Sequence, residues 1–305
     1  MSGKTRLYYD IGELGWSMYL AAHLKHLHHQ GEPASIIAPE AREVFYRDCA
    51  REILPVPEEW SHRFGRYPSD GTHLYNPRTG RRIRDQELLS EPFRRAYPDH
   101  DVVTTYSKFE GERVFEPYRH SPLAAELCRE ELGNEPVIMI FPRRRGGKFR
   151  GRNIPRRQWE IITEALCETF SDCLVIALGS VNGAWRDLNI DRPRFRNLVG
   201  WNDRHTLDMM VALSNTRQAV AAVGNQSGTV KMTLLGGTPT YIFGHERERH
   251  TVTENWAGTA VGFWDVTSRI GLRPRNDSKA NLTGYRIGNL PAMIGEIESF
   301  IAAHR

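Results

Sequence analysis

The chain lacks any apolar run long enough to cross a membrane, and its opening residues, MSGKTRLYYD, hold no apolar stretch of the kind a secretory leader needs. A cytoplasmic location is the expectation. Cysteine is scarce: Cys49, Cys128, Cys167 and Cys173 are the four in 305 residues, and no two form a Cys-x-x-Cys pair. That pattern predicts free, buried thiols in a reducing compartment. Charge of one sign is also missing, since the formal net charge is only +4. Such a balance permits acidic ligands without demanding nucleic acid. No short-period repeat and no low-complexity segment occurs. There is no G-x-G-x-x-G after a first strand and no G-x-x-x-x-G-K-[ST], which disfavours dinucleotide dehydrogenases and P-loop NTPases. The G-x-S-x-G, H-E-x-x-H and kinase signatures are absent as well.

What is present is a rhythm of short apolar runs alternating with helical periodicity. Arg6 to Ile11 reads as a first strand, and a helix follows from about Ser17 to Gln30, with Ser17 as N-cap and Leu20, Leu24 and Leu27 as its apolar stripe. His23, His26 and His29 fall on another face. Without supporting carboxylate or cysteine they read as a solvated face rather than a metal site. Ala34 to Ala38 is a second strand, and Pro39 opens a helix to about Arg51. This β-α-β opening predicts a parallel sheet with a right-handed crossover. From Pro55 to Pro98 the pattern weakens into surface loops and short helices. A short strand at Val102 to Thr105 and a helix from Ser121 to Leu132, stopped by Gly133, complete the first half. The second half is cleaner. Strands are expected at Val137–Phe141, Cys173–Leu178, Asn197–Gly200, Ala219–Val223 and Thr240–Phe243, with helices from Pro155, Thr206, Gly228 and Pro291. A chain of this length suits two domains. We expect them at 1–133 and 134–288, with a C-terminal helix at 289–305 able to pack back across a cleft between them.

The stretch PVIMIFPRRRGGKFRGRNIPRR, Pro136 to Arg157, organises the rest. A buried strand runs into a loop carrying Arg143, Arg144, Arg145, Lys148, Arg150 and Arg152, and the loop feeds a helix whose first turn is marked by Pro155. Cations therefore gather where a strand ends and a helix begins, beside N–H groups of partial positive charge. That environment suits a diphosphate, for which arginine offers forked donors. In an extended loop alternate side chains face opposite ways, so one or two of Arg143, Arg144 and Arg145 should point inward. A second cluster is Gly224-Asn225-Gln226-Ser227-Gly228-Thr229, then Lys231. Ser227 can cap the following helix, while the N–H groups of Gly228 and Thr229 and the Lys231 ammonium can face one anion. Both clusters lie at carboxyl ends of strands, where open α/β sheets bind ligands. A third candidate is Gly12-Glu13-Leu14-Gly15-Trp16, at the end of the first strand. A partly desolvated Glu13 there can act as a general base, with Asp10 as its rival.

Asn197-Leu198-Val199-Gly200, a helix, and then VGNQSGTVKMTLLGGTPTYIFG resemble the C-terminal domain of heptosyltransferase-like glycosyltransferases of the GT-B fold. Gln226 stands where that family has Asp, and Lys231 where it has His. The loop Gly12 to Gly15 resembles the family's N-terminal glycine-rich loop, but Trp16 replaces the usual Asp, which moves the base to Glu13. Phe141-Pro142-Arg143-Arg144-Arg145 is also similar to the arginine motif of GT-B fucosyltransferases, which contacts the donor diphosphate. The resemblance implies two Rossmann-like doubly wound α/β domains facing a cleft. It implies transfer of a sugar from a nucleotide-diphosphate donor to an acceptor hydroxyl, with inversion and with no bound metal or other cofactor. No D-x-D metal motif accompanies the cationic loop. The acceptor is open: a glycan, a lipid-linked glycan, a protein or a small molecule. In this reading Glu13 takes the acceptor proton, and Arg144, Lys148, Lys231 and backbone N–H groups meet the departing charge. Gly179, Ser180 and Trp201, together with Gln226, border the nucleotide and sugar. Two other readings compete. One is a GT-B nucleotide-sugar epimerase or hydrolase. The other is a nucleic-acid-binding protein that uses 143–157 as a phosphate track, with Trp159 and Phe149 stacking on bases.

Overall fold

The computed structural model describes residues 4–10, 14–57, 74–75, 82–83, 86–103, 111–144, 153–181, 183–201, 205–244, 259–266 and 287–305. Two compact units divide between Arg119 and His120.

In the first unit, β1 (Thr5–Tyr9) leads to α1 (Leu14–His29), then β2 (Ser35–Ile37) and β3 (Ile53–Leu54). A two-stranded antiparallel ladder, β4 (Leu74–Tyr75) and β5 (Arg82–Ile83), precedes α2 (Gln86–Ala96) and β6 (His100–Val102). The main sheet has the order β3-β2-β1-β6, and its neighbours are all parallel. Leu7 and Tyr9 of β1 pack with Ile37, Phe93 and Val102, so the strand's apolar residues seed the core. Ser17, expected as a cap, lies inside α1 and is fully buried; the helix begins at Leu14. Its hydroxyl donates to Asp10 Oδ1 (3.0 Å), which holds the serine as a tertiary contact. The helix expected from Pro39 to Arg51 is a short 3₁₀ turn, Glu40–Phe45. Arg42 and Tyr46 at that turn both reach Asp10, at 2.8 Å each. The histidine face of α1 covers the segment at 111–119. His23 Nδ1 bonds the Glu112 carbonyl (2.9 Å), and His26 Nε2 lies 3.1 Å from the Glu112 carboxylate. Among the described residues no group of three or more His, Cys, Asp or Glu side chains could hold a metal ion.

The second unit starts with α3 (Pro122–Leu132), capped by Ser121, whose Oγ accepts from Ala124 N (3.1 Å) and donates to Asp208 (2.6 Å). Asp208 belongs to the helix Thr206–Asn215 of this unit, so α3 is tied into it. There follow β7 (Val137–Phe141), α4 (Arg156–Thr169), β8 (Leu174–Ala177), β9 (Phe195–Asn197), α5 (Thr206–Asn215), β10 (Ala219–Asn225), α6 (Gly228–Leu235), β11 (Thr240–Gly244), β12 (Val261–Asp265) and α7 (Leu290–His304). Pro155 precedes α4 rather than starting it, because its carbonyl already accepts the first helical bonds, from Gln158 and Trp159. Four of the six strands, β7, β8, β10 and β11, match apolar runs in the sequence. β9 ends at Asn197, where the expected strand Asn197–Gly200 begins, and β12, with Gly262 at its second position, has no counterpart among the expected strands. All six are parallel, in the order β12-β11-β10-β7-β8-β9. Counted from β7 as the first strand, this is the doubly wound order 3-2-1-4-5-6. Every residue of β7, β8 and β11 is buried, so both sheet faces are covered. On one face Trp159, Ile162 and Leu166 of α4 share a hydrophobic cluster with Met293, Ile297 and Ile301 of α7. Each such fully buried large side chain contributes roughly 1.5–3 kcal/mol.

All four cysteines are free and buried, as their spacing predicts. Burial raises their thiols, Cys49 and Cys128 to about 12 and Cys167 to about 11. No described helix is long and apolar enough to cross a membrane.

Candidate functional site

In a doubly wound sheet the crossover direction reverses between the first and fourth strands, here β7 and β10, which are hydrogen-bonded neighbours. The loops leaving their carboxyl ends part to opposite faces and leave a crevice. The chain leaving β7 is Pro142-Arg143-Arg144, the start of the arginine stretch, and the chain leaving β10 is Gln226-Ser227-Gly228. Gly224 sits where they meet. A Cβ there would fall 2.8 Å from Val230 Cγ1 and 3.0 Å from Phe141 Cβ, so only glycine permits this approach. Phe141 directly precedes Pro142-Arg143-Arg144, and Val230 directly precedes Lys231, so the end of β7 and the first turn of α6 adjoin at Gly224.

Arg143 and Arg144 face opposite ways. Arg143 is buried, and its Nη1 donates to Asn153 Oδ1 (3.0 Å). Arg144 is exposed, with its guanidinium carbon 4.8 Å from the centre of the Trp185 ring. The backbone here is pinned. Arg143 forms an antiparallel bridge with Ala184, Arg144 N donates to Gly183 O (2.8 Å), and Trp185 N donates to Pro142 O (2.8 Å). The Trp185 indole N–H donates to Ile154 O (3.1 Å). Asn153 and Trp185 are contacts the sequence reading missed. They arise from the bridge between 143 and 184, which leaves no local pattern. Arg145, Lys148, Arg150 and Phe149 lie outside the described residues, as does Glu13.

On the other side, Gln226 is buried, its N–H donating to Phe243 O (2.8 Å). Ser227 occupies the N-cap position of α6 without a side-chain capping bond; its hydroxyl instead pairs with Thr229 Oγ1 at 2.7 Å. The expected capping role is thus replaced, and the first N–H groups of α6 have no serine oxygen in front of them. Such N–H groups attract anions. Lys231, one turn in, is 8% exposed, and burial lowers its ammonium to about 8. An anion nearby would favour the charged form and raise it again.

The loops after β8 and β9 adjoin each other. Gly200 N donates to Gly179 O (2.9 Å), and Ser180 O accepts from Gly183 and Ala184. Gly200 has φ +76, and a Cβ on it would lie 2.5 Å from Val181 Cγ2. Trp201 follows, half-buried, its carbonyl accepting from Thr206 Oγ1 (3.0 Å). Gly179, Ser180 and Trp201 are therefore brought together, in the loops after β8, which neighbours β7, and after β9 beyond it.

Asp10, the rival base, is fully buried and accepts from Ser17, Arg42 and Tyr46. A carboxylate so occupied is structural. Trp159 is also fully buried, which removes it as a base-stacking platform and corrects the nucleic-acid reading at that residue.

Two parallel α/β sheets, one of them with a switch point bordered by cations, define a fold of the GT-B class. No protein-family model matches the chain, and no curated protein matches it in sequence. Solved structures do match. A family 9 glycosyl transferase from Veillonella parvula aligns with a TM-score of 0.60 at 10% identity, covering 98% of this chain and 97% of that one. The Escherichia coli ADP-heptose lipopolysaccharide heptosyltransferase II aligns at 0.56 and 14% identity, covering 98% and 99%. The E. coli heptosyltransferase WaaC, solved with ADP, aligns at 0.51 and 11% identity, covering 97% and 99%. The chain has a heptosyltransferase-like GT-B fold, as its C-terminal motifs implied.

Proposed function

We propose that this protein is a glycosyltransferase that moves a sugar from a nucleoside-diphosphate donor to an acceptor hydroxyl. One observation carries the reading: β7 and β10 are adjacent at the reversal of strand order, with arginines following one and Gln226 to Lys231 following the other. A diphosphate at that point would meet Arg144, the α6 N–H groups and Lys231. Fixed donors of this kind stabilise a leaving diphosphate as its charge develops. Arg145, Lys148 and Arg150 belong to the same proposal, with Gly179, Ser180, Trp201 and Gln226 bordering the nucleotide and sugar. The related fold of WaaC, solved with ADP, supports the ligand class. We assign the leaving-group charge to these cations rather than to a metal, and the acceptor proton to Glu13, with inversion at the sugar. A cytoplasmic site of action suits a soluble nucleotide donor.

Thermal-shift titration with ADP, GDP, UDP and CDP tests the donor class, because a ligand of the native state raises its apparent stability. One of the four should raise the melting temperature in a saturable way. With its sugar nucleotide as substrate, Glu13→Gln should abolish transfer and leave nucleotide affinity within about twofold. A protein indifferent to all four nucleotides would defeat the reading; full activity in Glu13→Gln would reassign the base alone.

A further inference from the structure

Arg144 is the exposed arginine at the switch point, yet it does not hang loose. Its guanidinium lies over the Trp185 ring at 4.8 Å. A guanidinium over an indole face is held by the ring quadrupole while its N–H groups stay available to an anion. Trp185 is itself held twice, by its backbone N–H on Pro142 O (2.8 Å) and its indole N–H on Ile154 O (3.1 Å). Among the described residues Arg144 makes no ion pair. Asp187, whose carboxylate feels the Arg144 charge, is paired with Arg156 at 2.9 Å. Its neighbour Arg143 is committed to Asn153. Residues 153 and 154 therefore hold, through Arg143 and Trp185, the start of the same loop whose far end they form.

We infer that Trp185 is a positioning residue that presents the Arg144 guanidinium edge-on to the diphosphate of the bound nucleotide. The inference rests on the proposed donor site. It goes beyond that proposal by assigning a division of labour: Arg143 fastens the loop, Trp185 aims, and Arg144 binds. A flexible arginine loses rotamer freedom when it grips an anion, and a platform that removes that freedom beforehand strengthens binding. The effect is confined to the phosphates, since Trp185 acts only through Arg144.

The test is a double-mutant cycle on the full chain, read by calorimetric titration with the tightest-binding nucleoside diphosphate and with the matching nucleoside. Trp185→Leu should weaken the diphosphate about tenfold and leave the nucleoside unchanged. Trp185→Tyr should recover most of the loss. Arg144→Gln, which leaves the indole packing in place, should weaken the diphosphate roughly 10- to 100-fold. In the Arg144→Gln background, Trp185→Leu should add nothing further. Multiplicative losses in the double variant, or equal losses for diphosphate and nucleoside, would show Trp185 to be structural and overturn the inference while leaving the donor site standing. Arg144→Gln without effect would remove both residues from the site. Absence of nucleotide binding by the unmodified protein would overturn the donor site and this inference together.

Discussion

At Lys231 an ammonium group sits inside the protein at 8% exposure, and burial lowers its pKa from 10.5 to about 8. Between those two values the unfolded chain binds more protons than the folded one, so stability rises with pH across that window. Below about pH 8 the penalty is fully present, about 3 kcal/mol at 1.36 kcal/mol per unit. Lys231→Met should therefore raise the urea midpoint near pH 7 by the equivalent of about 1–3 kcal/mol, and the gain should shrink toward pH 10. The same variant should weaken nucleoside-diphosphate binding, as expected where function is kept at the expense of stability. A midpoint unmoved at both pH values would contradict the desolvation account. Residue identity made this lysine visible in the sequence, since it follows a glycine-serine turn into a helix. The roles of its neighbours were less visible. Which arginine turns inward depends on the bridge to Ala184, 41 residues further along the chain, and no local pattern encodes it. Asp10 and Glu13 looked alike in sequence. Only the arrival of Ser17, Arg42 and Tyr46 around Asp10 separates a fastening carboxylate from a candidate base.

Among the elements, β7 and β10 were legible because their apolar runs are unbroken, and the helices after them because each starts from a proline or a glycine-serine turn. The misses have local causes. Pro92 lies inside α2 and masked its periodicity, and Gly262 interrupts β12. The 3₁₀ turn at Glu40–Phe45 was read as a longer helix because propensity carries no knowledge of the pull that Asp10 exerts on Arg42 and Tyr46. Glycine at the end of the loop after β9 is a stricter requirement. Gly200→Ala would strain a backbone at φ +76 and drive a methyl group to 2.5 Å from Val181 Cγ2. A loss of about 1–3 kcal/mol in chemical denaturation is expected. Nucleotide affinity should fall as well, since this loop is bonded to Gly179. An alanine variant as stable as the parent would mean that the two loops are not coupled.

For the molecule as a whole, each unit has its own parallel sheet and its own hydrophobic cluster. Units with separate cores unfold with some independence. Scanning calorimetry should give a calorimetric enthalpy larger than the van't Hoff value. A bound nucleoside diphosphate should shift the component belonging to residues 120–305, the same component that Lys231→Met displaces. A single two-state transition, moved as one by ligand, would argue against separate cores. The interior position of every native thiol also has a practical use. Only thiolate reacts quickly with maleimides, and here Cys49, Cys128, Cys167 and Cys173 are both shielded and held protonated. A cysteine introduced on an exposed position would be the fast-reacting handle without any of the four being removed, so fluorophores can be attached to the otherwise unaltered chain and followed as nucleotide is added.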